Sequence, residues 1–250
     1  MNFYLINPFF KFLTAMEDAG ITGNLCTYES WEPDYFTRIA RDIDIHKKIK
    51  YMVAIRPHVL SPEYLVKITK SIKEISKGDR LQINLVSGYI NPEDYETNRI
   101  LGTVTNKSTG QERSDYLIEY INLLNQLPQE EKPDYYVSVT NGFTLKAASK
   151  HNDKMIIPSH LLNMENSSNL DYNKIMTYLT PVLRKTQKEL DSLSGYNLQE
   201  IEDCKFTYET MTNLVNQFKD QGIKEIMFGH RNTEDIKRNI DFIKEYNYKN

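Results

Sequence analysis

Short runs of β-branched and aromatic residues alternate with longer amphipathic stretches along nearly the whole chain, and this alternation limits the folds open to it. Strands separated by helices run parallel and return through crossovers, so the pattern implies repeated βα units. NFYLIN, ITGNLCTY, IKYMVAIRP and LQINLVSG read as the first four strands. Between them lie three helical stretches: FFKFLTAMEDAG, stopped by Gly20, then YFTRIARDIDIHKK, then PEYLVKITKSIKEISKG. The third carries the clearest signal. Tyr64, Leu65, Ile68, Ile72 and Ile75 fall along one helical stripe, Ser61 is placed as N-cap, Pro62 sits in the first turn, and Gly78 is the expected terminator.

The second half follows the same plan. After a polar stretch over residues 91–111 come helix DYLIEYINLLNQL, strand DYYVSVT, helix TLKAASKHN and strand KMIIPSH. Residues 163–173 read as loop and IMTYLTPVL as a single strand. RKTQKELDSL and TYETMTNLVNQFKDQG read as helices, IKEIMFG as the last strand and TEDIKRNIDFIKEY as the closing helix. A length of 250 residues suits one α/β domain over residues 1–250, a (β/α)8 TIM barrel in which each strand returns through a helix and closure removes the sheet edges. An open doubly wound sheet is the alternative.

Composition narrows the function classes. With 31 basic and 34 acidic side chains the net charge is −3, which argues against a generic polyanion binder. The 26% charged and 40% apolar content is that of a globular protein with a packed core. Apolar runs are far shorter than the roughly 20 residues a membrane helix needs. The start MNFYLINPFFKFL lacks a basic leader, so a cytoplasmic protein with free thiols at Cys26 and Cys204 is expected. No CxxC, HExxH or clustered His/Cys set is present, so metal chemistry is not indicated.

In a barrel the active site is built after the C-terminal ends of the strands. Those places hold Thr27, Tyr28 and Glu29, then Arg56, Pro57 and His58, then Ser87, Gly88 and Tyr89. Later strands supply Ser138, Thr140, Asn141 and Gly142, then His160, Thr180, and finally Gly229, His230 and Arg231. A single histidine at a strand end is more often solvated than catalytic, but His58, His160 and His230 all fall at such ends. The SVTNG turn opens directly into a helix, and amides at a helix start beside Ser, Thr and Asn side chains suit a phosphate. Neither GxGxxG nor GxxxxGK[ST] is present, so a Rossmann or P-loop site is not indicated.

The run YMVAIRPHVLSPEYLVKITKSIKEISKGDRLQINLVSGYINPED resembles the bacterial luciferase-like flavin-dependent monooxygenases, particularly the alkanesulfonate monooxygenase branch. That family has a strand ending in ARPG or VRPG, then SP opening a helix, a GR turn and a strand NLVTG. Arg56 and Pro57, Ser61 and Pro62, Gly78 and Arg80, and Asn84, Leu85, Val86 and Gly88 stand in those places, with Asp79 inserted and Ser87 for Thr. ERSDYLIEY, PDYYVSVTNGFTLKAASKHND and QGIKEIMFGHRNTEDI are similar to further family segments. The resemblance implies a luciferase-like barrel, reduced FMN supplied by a separate flavin reductase, O2 as oxidant, a small-molecule substrate, and a homodimer or heterodimer.

It also implies roles. The phosphate is expected at Ser138, Thr140, Asn141 and Gly142, and the flavin ring at Asn84, Ser87 and Gly88. His58 and His230 are candidates for proton transfer, with Arg231 beside the latter, and Tyr28, Tyr178 and Thr180 for substrate contact. Some places depart from the family. TYLTPVLRKT aligns with RxHVIVRET so that Tyr178 and Thr180 replace the Arg and His of the sulfonate branch, which argues against a sulfonate substrate. ERY becomes Glu112, Arg113 and Ser114, and the GGSS turn becomes Ser138, Val139, Thr140 and Asn141. Residues 188–207 leave little room for the long insertion of fuller members. A non-catalytic flavin-binding or partner subunit and a deazaflavin-dependent oxidoreductase are the alternatives.

Overall fold

The computed structural model describes residues 1–6, 10–27, 34–57, 59–87, 109–140, 142–151, 153–162, 170–193 and 202–249. Its strands are β1 Asn2–Ile6, β2 Gly23–Cys26, β3 Lys50–Ile55, β4 Leu81–Leu85, β5 Tyr135–Ser138, β6 Lys154–Pro158, β7 Ile175–Leu179, β8 Val182–Arg184, β9 Lys205–Thr207 and β10 Glu225–Phe228. The helices are α1 Leu13–Asp18, α2 Tyr35–Asp42, α3 Pro62–Ser76, α4 Gly110–Asn125, α5 Gly142–His151, α6 Gln187–Asp191, α7 Tyr208–Asp220 and α8 Thr233–Lys249. Eight strands close into a barrel in the order β1-β10-β7-β6-β5-β4-β3-β2, and β8 and β9 form a separate parallel pair. The expected TIM barrel is thus the fold, and the open sheet is excluded by closure. No described helix is long and apolar enough to cross a membrane. The chain divides into two compact units, Leu25–Ile156 and Met1–Asn24 with Ile157–Asn250.

In the unit Leu25–Ile156, β3 to β6 pair in parallel, with Ala54 opposite Asn84 and Asn84 opposite Tyr136. Every residue of β4 is buried, as a parallel strand covered on both faces requires. Helix α3 starts where its sequence indicates: Ser61 Oγ accepts the Tyr64 amide and Pro62 opens the first turn. Its end differs from expectation. Lys77, not Gly78, takes the left-handed conformation at φ 51°, and both amides fold back on the last turn, Lys77 onto the Glu74 carbonyl and Gly78 onto the Lys73 carbonyl, each at 3.3 Å. The buried stripe is also narrower, with Leu65 and Ile72 inside and Tyr64 and Ile75 exposed.

Two further boundaries shift for identifiable reasons. Helix α2 stops at Asp42, and the Arg80 guanidinium holds the carbonyls of Ile43 and His46 just beyond, so the tail DIHKK is turn rather than helix. Helix α4 starts at Gly110, inside the stretch expected to be loop, because Thr109 and Glu112 form a capping box.

In the unit Met1–Asn24 with Ile157–Asn250, β10 pairs with β1 on one side and β7 on the other. The Phe3 ring lies 5.9 Å from Phe228 and 5.4 Å from Tyr246, and Phe242 lies 6.0 Å from Phe228 and 5.5 Å from Tyr208. This cluster seats α7 and α8 on β1 and β10. The segment IMTYLTPVL is not one strand. Pro181 lacks the N–H a ladder needs, so β7 ends at Leu179 and the chain restarts as β8, which pairs with β9. Residues 188–207 therefore hold most of α6 and the unforeseen β9, while 194–201 lie outside the described residues. Cys26 and Cys204 are free thiols. Replacing Phe242, buried at the centre of the ring cluster, by Ala is expected to destabilise the protein by about 3–5 kcal/mol, measured by urea unfolding.

Candidate active site

Asn84 and Ser138 are brought together by the β4–β5 register. Asn84 lies opposite Tyr136, so Ser138, two residues further along β5, shares its face. Ser138 Oγ donates to Asn84 Oδ1 across 2.8 Å, which engages the amide carbonyl of a buried Asn and leaves its NH2 group as the donor end. Ser87 is buried just past β4, where Val86 N–H extends the ladder by donating to the Ile55 carbonyl at 3.0 Å.

The turn after β5 differs in detail from the expected phosphate cradle. Thr140 is exposed, and its backbone N–H already donates to Thr144 Oγ1 at 3.0 Å. Thr144 is a buried residue that the sequence reading passed over, and its place four residues after Thr140 was the available signal. Among the described residues, the Thr140 hydroxyl and the first amides of α5 are the donors available to an anion here. A Cβ built on exposed Gly142 meets no described atom within 4 Å. These donors fit a phosphate held by neutral hydrogen bonds. Tyr28, His58, Gly88 and Asn141, also expected in the site, lie outside the described residues.

The second cluster lies at the ends of β7 and β10. Tyr178 stands opposite Met227, and burial pushes its phenol above the ordinary range, which keeps it a neutral hydrogen-bonding group. Thr180 packs so tightly on Gly229 that a Cβ there would sit 2.6 Å from Thr180 Oγ1. Arg231 Nη1 donates to the Thr180 carbonyl at 2.8 Å, so this guanidinium braces the end of β7. Its backbone N–H donates to the fully buried Asp235 carboxylate at 3.3 Å, and Arg184 Nη1 from β8 lies 3.7 Å from the same carboxylate. Asn232 Oδ1 accepts the Asp235 amide at 2.9 Å and starts α8. Asn239 Nδ2 donates to the Gly229 carbonyl at 3.0 Å.

His230 thus sits, half-buried, on a segment fastened on both sides. Arg184, Asp235 and Asn239 do this fastening, and sequence reading missed all three because their partners are remote in the chain or belong to backbone. His160 is exposed on a single 3-10 turn, Ser159–Leu161. Among the described residues no group of three or more His, Cys, Asp or Glu is placed to hold a metal ion.

The sequence matches no protein-family model. Solved structures share the fold along nearly the whole chain. The monooxygenase RslO1 from Streptomyces bottropensis is 12% identical with a TM-score of 0.67, covering 98% of both chains. The coenzyme F420 dependent tetrahydromethanopterin reductase from Methanopyrus kandleri is 10% identical with a TM-score of 0.63, covering 98% of this chain and 97% of that one. A riboflavin lyase solved with modified FMN and riboflavin is 10% identical with a TM-score of 0.68, covering 99% of this chain and 90% of that one. At these identities the likeness is one of fold.

The Thr180–Gly229 contact makes a direct test of the second cluster. Gly229→Ala is expected to cost about 1–3 kcal/mol through overpacking. Adding Thr180→Ala removes the hydroxyl it strikes and should restore part of that stability in thermal unfolding. An equal loss in single and double variants would show that the strain lies elsewhere.

Proposed function

We propose that this chain is a flavin-dependent monooxygenase that takes reduced FMN from a separate reductase and uses O2 to oxidise a small organic substrate other than a sulfonate. The observation carrying this reading is the Ser138–Asn84 pair beside the neutral-donor turn into α5. The fold is shared with a monooxygenase and with a lyase solved with a modified FMN, which supports it. Reduced FMN would supply the electrons that activate O2.

The chain's own groups then have separable tasks. The Thr140 hydroxyl and the first α5 amides hold the phosphate, and Asn84 with Ser87 offers polar contacts to the ring. His230 is the described candidate for proton transfer. Tyr178 offers a neutral phenol to the substrate and Thr180 a side chain packed on Gly229, where the resembling sulfonate branch has Arg and His. Substrate-dependent O2 consumption with reduced FMN, run over a panel of small organic compounds, tests the reading. FMN binding without O2 consumption on any compound would favour a non-catalytic flavin-binding subunit instead.

A deazaflavin-dependent, hydride-transferring oxidoreductase is the second reading, favoured by whole-chain overlap with the F420 dependent reductase. Preferential binding of the deazaflavin over FMN would select it. Two substitutions sharpen the roles. Thr140→Glu places a charge beside the phosphate and should weaken FMN binding at least tenfold while leaving riboflavin binding unchanged, read by fluorescence titration. His230→Ala should lower kcat by about 10²-fold or more with little change in flavin affinity, and a parallel loss of both would assign His230 to binding.

A further inference from the structure

Asn24 of β2 is almost fully buried, at 1% exposure, and neither Nδ2 nor Oδ1 has a hydrogen-bond partner among the described residues. Buried amides in native folds are nearly always paired, so one with both ends open is a marked exception. Its direction follows from strand register. The Thr22 amide donates to the Phe3 carbonyl at 2.8 Å, and in a parallel ladder that sets Tyr4 beside Thr22 and Ile6 beside Asn24. Phe3 packs on Tyr246 of α8, outside the sheet, so Tyr4, Ile6 and Asn24 face the opposite way, into the barrel.

Ile6 is the last residue of β1, and the β1–β10 register brings it beside Gly229, which pairs with Thr180. Asn24 therefore stands beside Ile6, the last residue of β1, as the second residue of β2, one inward-facing position below Cys26 and the C-terminal ends of the strands where barrels bind their ligands. Ile6 and Thr180 keep part of their surface exposed at the strand ends, above the buried Asn24. Gly229 brings no side chain to it, and the Thr180 hydroxyl is turned against Gly229.

We infer that Asn24 grips the –CO–NH– edge of a bound heterocycle, an amide-, lactam- or imide-type group. A carboxamide with donor and acceptor both open is complementary to a neighbouring acceptor and donor pair, which the edge of a lactam or imide presents. The inference rests on the reading of these strand ends as a ligand site and adds the ligand's chemistry to it. Such an edge occurs in the pyrimidine ring of flavins and deazaflavins and in lactam or imide substrates. A site built around an N–H rejects the analogue that lacks it, because its own polar atoms are then left unpaired.

The test compares wild type, Asn24→Leu and Asn24→Ala on two probe pairs: FMN with N3-methyl-FMN, and 1-methyluracil with 1,3-dimethyluracil. The wild type should bind the free-edge member of one pair at least tenfold more tightly than its N-methylated counterpart. Both variants should lose that preference while unfolding at the wild-type temperature or above. Preference within the flavin pair assigns the edge to the cofactor, and preference only within the uracil pair assigns it to the substrate. Absence of FMN binding with the uracil preference intact would sink the flavin reading and leave the Asn24 assignment standing. The assignment itself is overturned if the wild type discriminates within neither pair, if discrimination survives both substitutions, or if both variants unfold at markedly lower temperature, since the amide would then be paired within the fold.

Discussion

Each strand of the barrel is covered on both faces, and that coverage decides what a polar side chain may do there. A buried polar group left without a partner costs about 1–3 kcal/mol, so a strand can carry one only if a neighbour supplies the bond. Strand β4 shows the rule twice. Gln82 donates to the Asp134 carboxylate at 3.0 Å and Asn84 accepts from Ser138 at 2.8 Å. Thr177 on β7 donates to the Ile157 carbonyl at 3.1 Å. Each bond is made in only one register, so these polar residues help fix the ladders that bury them.

The same logic runs beyond the strand ends. Pro181 cannot continue β7, and the restart produces β8, which delivers Arg184 to the buried Asp235. Asp235 in turn holds the Arg231 amide, and Arg231 reaches back to the Thr180 carbonyl that precedes the proline. The interruption of one strand is thereby linked in a closed loop to the segment carrying His230. A buried carboxylate of this kind is tolerated because a cation and backbone donors face it, and the segment gains a fixed path in exchange.

What was legible in the sequence divides along these lines. Helix α3 was readable because its N-cap, first-turn proline and apolar spacing are all local. The eight barrel strands were readable because period and length are local too. The break at Pro181 was visible as a residue, yet its consequence, a parallel pair with β9 some twenty positions on, depends on a contact no local pattern encodes. Within the candidate site, Asn84 and Ser138 were legible from resemblance and strand position, whereas Thr144, Asp235 and Asn239 act through backbone groups and leave little trace in residue type. Arg80 shows the converse. It stood out as part of a motif, and its guanidinium serves the fold, holding the carbonyls of Ile43 and His46.

The near-neutral charge of the chain has a counterpart at the turn into α5. The described donors there are a hydroxyl and backbone amides, with no fixed cation among them, and neutral hydrogen bonds hold an anion less firmly than charge-assisted ones. Under the proposed reading this is an advantage. A cofactor that must arrive reduced from another protein and leave again is served by a site whose geometry selects it without gripping it. The burden of recognition then shifts toward groups whose polar atoms are left open by the fold. Asn24 is the most exposed to that argument, because nothing else described in the barrel explains why an amide with two open ends should be kept in its interior.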